Sequence, residues 1–489
     1  MGRSGRMGRD GRDRQRMGWS RRVRGAATHG WGVVFALLLG SGVAPLSAQT
    51  EARTVLGRAL ELMGGEERLR DVRTVRFDMR TQWQRTGFRG LPATDRPSFE
   101  DHVDVRDYAI PAWRNTRIFA RGNVVNVIRD SVGTTDFGNG LQPQNVAYVD
   151  ERRELFTYTP DRLLLALADA PDLRLGADTT LAGEPHRRLR ATLAERFDAE
   201  VFIQAASGAP TYLRFTAGHP NDYGLVPWGP MEVGVWYAGW RDFDGLAIPT
   251  QWDVERMGVP YKRMTVRDAA FGVDLEPDSF AVSDEMRARF LAEGTVPMHE
   301  SRPIQPYETS DDGLVAGGGF GFPSGAVPTS EGWVLVGAGQ AAFNFRQALP
   351  ALESAGAGPV AHVLAATAST GDGGVVAAAG RDLPIWTSPA AEPFVRRMLA
   401  AGQVRGDVRV VTRLTALGTG ASRLLLVPFG LPDTPGSLLA FHPESGWLWA
   451  PDAEDALDIR LALEAARTQG WAPVSLGTRR SFRTEVPGG

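Results

Sequence analysis

Between Glu51 and Met63 the apolar residues Val55, Leu56, Ala59, Leu60, Leu62 and Met63 recur at helical spacing, and Gly64–Gly65 supplies a stop. The period then falls to two. Val75, Phe77, Met79 and Trp83 alternate with Arg76, Asp78 and Arg80, the pattern of a strand with one buried face. Further strands are predicted at Arg117–Phe119, Val124–Ile128, Val201–Gln204, Thr211–Phe215, Val233–Trp240 and Ile248–Val254, with Asp244–Gly245 as a hairpin turn between the last two. The leucine-rich stretch Asp161–Ala168 reads as a short helix interrupting the strands.

Beyond residue 310 the composition moves to Gly, Ala and Val, and strands alternate with helices. Strands are predicted at Trp333–Val336, Val360–Ala365, Pro384–Thr387, Asp407–Leu414, Ser422–Pro428, Ser437–Phe441 and Trp447–Trp449. Helices are predicted at Ala341–Ser354, Ala390–Ala401 and Ala453–Thr468, an order that suggests a layered α/β arrangement. Ser301–Thr309, with two prolines, reads as the start of a linker. The expected plan is a β-rich domain over 49–300, a linker over 301–310 and a second domain over 311–489. A length of 489 residues suits two cores better than one.

Charge changes this picture at the N-terminus. The first 24 residues hold nine Arg and two Asp, a local +7, so the remainder carries about −10 of the whole-chain −3. An acidic remainder argues against a nucleic-acid partner. The basic stretch precedes the apolar run Trp31–Leu39 and a small-residue segment ending at Ala48, the order of a secretory signal over 1–48. The run is too short for an ordinary spanning helix, and no membrane span is expected once the signal is removed. An ordinary Sec-type signal with an over-extended start is the expected reading; Arg21–Arg22 resembles a twin-arginine signal as the alternative, and Met17 is an alternative start. The chain has no cysteine, which excludes disulfides, thiolate metal sites and cysteine nucleophiles. Its one lysine, Lys262, stands against 53 arginines.

Helices against a long antiparallel meander form the layout of a curved half-barrel. In this order of elements, residues 49–300 resemble the LolA-like lipoprotein-carrier and lipoprotein-sorting folds, which would imply a concave face for acyl chains. They also resemble the amino-terminal domain of some exported metallo-β-lactamase proteins. The shared segments are Gly64-Gly65-Glu66-Glu67-Arg68-Leu69-Arg70, ahead of a strand, and Gly245–Thr250. The rings of Trp228, Trp236, Tyr237, Trp240, Trp252 and Tyr261 are expected to fill the sheet core rather than line a groove. His102, His186 and His219, isolated in sequence, are expected at surface or turn positions.

Val360–Val376, V-A-H-V-L-A-A-T-A-S-T-G-D-G-G-V-V, leads a predicted buried strand into a Gly-rich loop. With its flanking segments it resembles the metallo-β-lactamase superfamily, whose metal motif is T-H-x-H-x-D-H. The resemblance implies an αββα sandwich, and so an α+β protein overall. Thr367 and Asp372 match the motif, but its histidines fall on Ala368, Thr370 and Gly373. Leu431–Pro443 resembles the family segment N-P-H-S-x-G-x-x-x-A-Y-x-P, with Asp433 at the histidine. Asp452 matches the bridging aspartate after Trp447–Trp449, and Gly477 replaces the last histidine.

Catalytic zinc needs about three protein N or S ligands and an open position for water. The resemblance leaves only Asp372, Asp433 and Asp452, a vestigial set whose oxygens suit Mg²⁺, Ca²⁺ or Mn²⁺ better than zinc. Each also has a plain structural reading: Asp372 holding a turn or capping a helix, Asp433 in a turn, and Asp452 capping the helix that begins near Ala453. His362 and His442 lie on strands, away from ligand positions. No nucleotide-binding loop or serine-nucleophile elbow is present. No cofactor is expected, and a divalent metal is the alternative. The expectation is an exported binding or scaffold module that has lost zinc hydrolysis, acting on a small-molecule, lipid or protein ligand. A divergent aspartate-based hydrolase and a lipid or lipoprotein carrier are the alternatives.

Overall fold

A computed structural model describes residues 44–84, 98–120, 122–193, 197–216, 231–296, 305–319, 322–339, 341–367, 372–431, 436–453, 455–478 and 481–486. Helices α1 (Ala44–Leu62) and α2 (Glu66–Asp71) precede strands β1 (Thr74–Trp83), β2 (Ser98–Asp107), β3 (Ala112–Phe119), β4 (Gly122–Arg129), β5 (Val132–Asp136) and β6 (Leu141–Pro143). Helices α3 (Val146–Tyr158) and α4 (Pro160–Asp169) follow. Then come β7 (Arg174–Leu175), β8 (Thr179–Leu181), β9 (Glu184–Leu193), β10 (Phe197–Gln204), β11 (Pro210–Thr216), β12 (Glu232–Phe243), β13 (Leu246–Arg256) and β14 (Val259–Phe271). All fourteen strands join one large curved antiparallel sheet in the order β6-β5-β4-β3-β2-β1-β14-β13-β12-β11-β10-β9-β7, with β8 on β9.

The expected change from helical to alternating spacing decides the packing. Ala52, Val55, Leu56, Ala59 and Leu60 of α1, with Met63 just beyond it, share one buried cluster with Leu163, Leu164 and Leu167 of α4. The inward residues Val75, Phe77, Val201, Leu213, Val235 and Trp252 of the sheet belong to the same cluster. Of the aromatic residues expected in this core, Tyr237, Trp252 and Tyr261 are buried in it and Trp240 packs against it. Trp236 lies instead against Tyr212, with ring centroids 4.3 Å apart, and Trp228 lies outside the described residues. Asp244 and Gly245 take φ of 51° and 77°, the left-handed pair a tight hairpin requires.

The two segments that suggested a shared amino-terminal domain meet here. A Cβ on Gly64 would lie 2.6 Å from the Gly245 carbonyl, and Arg68 donates to the Asp244 carbonyl. Gly64 is therefore fixed by close backbone approach as well as by its φ of 111°.

After α5 (Asp284–Arg289) and a π-helical turn at Phe290–Gly294, seven strands form a second sheet: β15 (Gln305–Thr309), β16 (Val315–Gly319), β17 (Phe322–Thr329), β18 (Gly332–Val336), β19 (Val360–Ala365), β20 (Ile385–Thr387) and β21 (Val408–Val410). The expected linker over 301–310 is corrected in its second half, where 305–309 forms the edge strand β15. Pro306 is tolerated at an edge, and the buried Tyr307 bonds Ser324 at 2.6 Å. Helices α6 (Ala342–Ser354), α7 (Val375–Ala379) and α8 (Glu392–Ala401) bury Phe345, Val375 and Met398 against Leu335, Val363 and Ile385.

A third sheet runs β22 (Thr415–Gly418), β23 (Arg423–Phe429), β24 (Ser437–His442), β25 (Trp447–Trp449), β26 (Ser475–Gly477) and β27 (Thr484–Glu485). The single strand expected over Asp407–Leu414 is shorter than read. It ends at Val410, and the chain crosses to the other sheet before Thr415. Val334, Val336 and Leu364 of the second sheet share a buried cluster with Leu424, Leu438 and Trp447 of the third. Helix α9 (Ala456–Thr468) buries Ala462 and Leu463 in a further cluster with Leu439 and Leu448. Residues 47–489 form one compact unit, in which Met231 of the β-rich region is buried within the α6–α8 cluster.

Candidate functional site

Asp372 stands beyond the ends of parallel neighbours β18 and β19, and Asp452 and Gly477 at the ends of β25 and β26, also parallel. Asp372 is 4% exposed, and its carboxylate ties two of these ends together. One oxygen accepts from the Ala338 amide at 3.5 Å, the other from the Thr367 amide at 3.4 Å and the Thr367 hydroxyl at 3.3 Å. The Gly374 amide donates to the Gly339 carbonyl at 2.9 Å, closing the same junction. Asp372 thus holds a turn, one of its two structural readings.

Asp452 is buried beyond β25, but it does not cap the following helix. The cap is Asp455, which accepts from the Leu457 and Asp458 amides in a capping box with Asp458. Helix α9 begins at Ala456, so Asp452 stands too far upstream to serve its first turn. Asp433 lies outside the described residues, as do Ala368 and Thr370. The chain just after the segment that holds Asp433 is anchored beside β19 and β20. The Leu438 amide donates to the Ala366 carbonyl at 3.2 Å, and the Ser388 hydroxyl to the Gly436 carbonyl at 3.4 Å.

Gly477 is closed by packing. A Cβ there would stand 2.6 Å from Trp449 Cε3, 2.6 Å from the Phe482 carbonyl and 2.9 Å from Trp447 Cζ2. Trp447 and Trp449 are stacked with centroids 5.8 Å apart, and Trp447 stacks on Phe482 at 4.8 Å. Aromatic surface closes the space around Gly477. The remaining donors are hard carboxylates, one of them spent on loop amides, and they do not fit a zinc ion. Among the described residues no three His, Asp or Glu side chains are grouped as metal ligands. His362 accepts from Trp386 Nε1 at 3.3 Å and lies 3.4 Å from Glu331, while His442 faces the Ser445 hydroxyl at 2.8 Å. Burial lowers the pKa of His442, with the Glu444 charge opposing.

The residues that sequence reasoning missed line the inner face of β1–β5. Strand register places Thr81, His102, Asp104, Arg106, Asn115, Asn126 and Thr135 there, continuing the row of Phe77 and Met79. His102 is 6% exposed on a strand, not at the surface, and His186 is buried on β9; both expectations are corrected. His219 lies outside the described residues. His102 Nε2 meets the Thr81 hydroxyl at 2.8 Å and its Nδ1 meets Asp104 at 3.2 Å. Asn115 donates to Asp104, Arg106 contacts Asp104 at 3.4 Å and donates to Thr159, and Thr135 and Gln144 donate to Asn126. Burial pushes the Asp104 carboxyl up, but the charges of His102 and Arg106 and the bonds from His102 and Asn115 outweigh it. They hold Asp104 well below the usual carboxylate range. The two-residue spacing of His102, Asp104 and Arg106 places them on one strand face but does not say that this face turns inward.

No family model and no curated protein sequence matches the chain. By structure it is similar to a LolA superfamily protein from Nitrosomonas europaea, at 12% identity and TM-score 0.32, over 47% of this chain and 97% of that one. A putative outer membrane lipoprotein-sorting protein domain from Vibrio parahaemolyticus gives 10% identity and TM-score 0.31, over 47% and 97%. TMB-1, a metallo-β-lactamase-fold protein, gives 12% identity and TM-score 0.29, over 37% of this chain and 92% of that one. Structural neighbours thus include LolA-superfamily and metallo-β-lactamase-fold proteins, at low identity and over part of the chain. No helix of the described residues is long and apolar enough to cross a membrane.

Proposed function

We propose that this is an exported binding or scaffold protein whose C-terminal region is a metallo-β-lactamase-like αββα sandwich without zinc hydrolysis. The observation that carries this reading is the closure of Gly477 by Trp447, Trp449 and Phe482. A zinc hydrolase keeps an open coordination position for the water it activates. Here the corresponding end of the domain is packed with rings, and Asp372 is engaged with the Ala338 and Thr367 amides. Export rests on the basic, apolar and small-residue order of residues 1–48.

A lipid-carrier role is weakened by the inner face of the large sheet. One part is covered by α1 and α4, and the β1–β5 part carries His102, Asp104, Arg106 and Asn115, which would desolvate at a cost against acyl chains. The functional test is hydrolysis of a chromogenic β-lactam, a thioester and a sulfate ester by full-length protein in zinc-supplemented buffer. Rates are expected to equal those of the Asp372→Ala protein. A turnover that falls tenfold or more in Asp372→Ala would restore the hydrolase reading.

A further inference from the structure

We propose that the outer face of β7 and β9–β12 binds a small zwitterion, with its anionic group on a row of arginines and its cationic group on a row of carboxylates. The site is separate from the metal position and does not depend on the reading above. Val201, Leu213 and Val235 point into the core, so the alternate residues of these strands point outward. Register sorts those outward residues into two rungs. Arg190, Glu200 and Arg214 stand directly opposite one another, with Arg174 beside Arg190 on β7. The next rung pairs Thr192 with Asp198 and Thr216 with Glu232. The rungs are two residues apart along each strand, about 6.5–7 Å.

The two rungs differ in charge. Glu200 is 9% exposed; Arg190 donates to one of its oxygens, Arg214 Nε to the other at 3.0 Å, and Arg188 lies 3.6 Å away. One carboxylate therefore orients several guanidiniums and leaves that rung positive. On the other rung Thr216 stands between Asp198 and Glu232, with Thr192 beyond Asp198, and the rung is negative. A cleft of about 380 Å³ is lined by both rungs, near the lower end of small-molecule sites.

The cross-strand ion triple by itself would stabilise the sheet. That role accounts for Glu200 and draws in the Glu232 charge through Arg214, but it does not explain why Glu232 and Arg174, which also lies 3.2 Å from Asp172, stand exposed on one cleft. An isolated anion among the arginines would be repelled by Asp198 and Glu232, and an isolated cation by the arginines. A molecule carrying both charges a few ångströms apart satisfies each rung.

The test is calorimetric titration of full-length protein with phosphocholine and with glycylglycine, against inorganic phosphate and choline alone. At least one zwitterion is expected to bind ten times more tightly than either single-charge ion. Preference for phosphocholine would identify a lipid-headgroup source, and preference for glycylglycine an amino-acid or peptide source. Arg174→Ala and Glu232→Gln change exposed side chains, and each is expected to weaken that binding at least fivefold with an unchanged melting temperature. The proposal is overturned if neither zwitterion outbinds the single-charge ions, or if both substitutions leave the affinity unchanged.

Discussion

Asp104→Ala is expected to cost about 3–5 kcal/mol of stability, because it removes the carboxylate in contact with the fully buried Arg106 guanidinium. Arg106 lies 5.2 Å from the Phe77 ring centre and 5.4 Å from that of Phe156, so water cannot readily replace the lost partner. The double variant Asp104→Ala with Arg106→Met should lose less than the sum of the single changes, since the two side chains are in contact and part of each loss is shared. Urea unfolding of the four proteins measures this. The same carboxyl also gives a pH dependence. Its folded pKa is depressed, so its contribution is fully present above the unfolded value of about 3.9 and is lost as pH falls toward the depressed value. Asp104→Asn should therefore flatten the acid side of the stability profile below about pH 4.

Gly477→His, the substitution that would return the family's last ligand, is expected to destabilise by about 3 kcal/mol without creating a metal site. Gly477 is outside the positive-φ set, so its backbone tolerates a side chain; the obstacle is the ring of Trp449 and the Phe482 carbonyl. Thermal unfolding with and without zinc checks this. A melting temperature near wild type that rises with added zinc would show that the rings yield and that the position is open.

The contrast between these two sites shows what was legible in the chain. Helix α1 and strand β1 followed directly from spacing, because each buries one continuous apolar stripe. The end of β19 was legible as a junction, and Thr367, Asp372 and Gly374 are bonded across it to one another and to Ala338 and Gly339. The polar face was not. His102, Asp104 and Arg106 alternate as a solvated strand face would, and only pairing with β1 and β3 turns that face inward. Strand β15 was hidden for a related reason: Pro306 signals a linker, and an edge strand accepts it. The cap of α9 was misplaced because Asp452 and Asp455 are both plausible caps in sequence, and hydrogen bonding selects Asp455.

The proposed absence of zinc chemistry is tested most directly by the metal content of full-length protein purified after growth with zinc and then dialysed, measured by mass spectrometry beside the Asp372→Ala and Asp452→Ala variants. The account predicts well under about 0.1 zinc per chain in all three, since the donor set falls short of the roughly three N or S ligands a zinc site needs. About one zinc per chain in the wild type, lost in either variant, would contradict it.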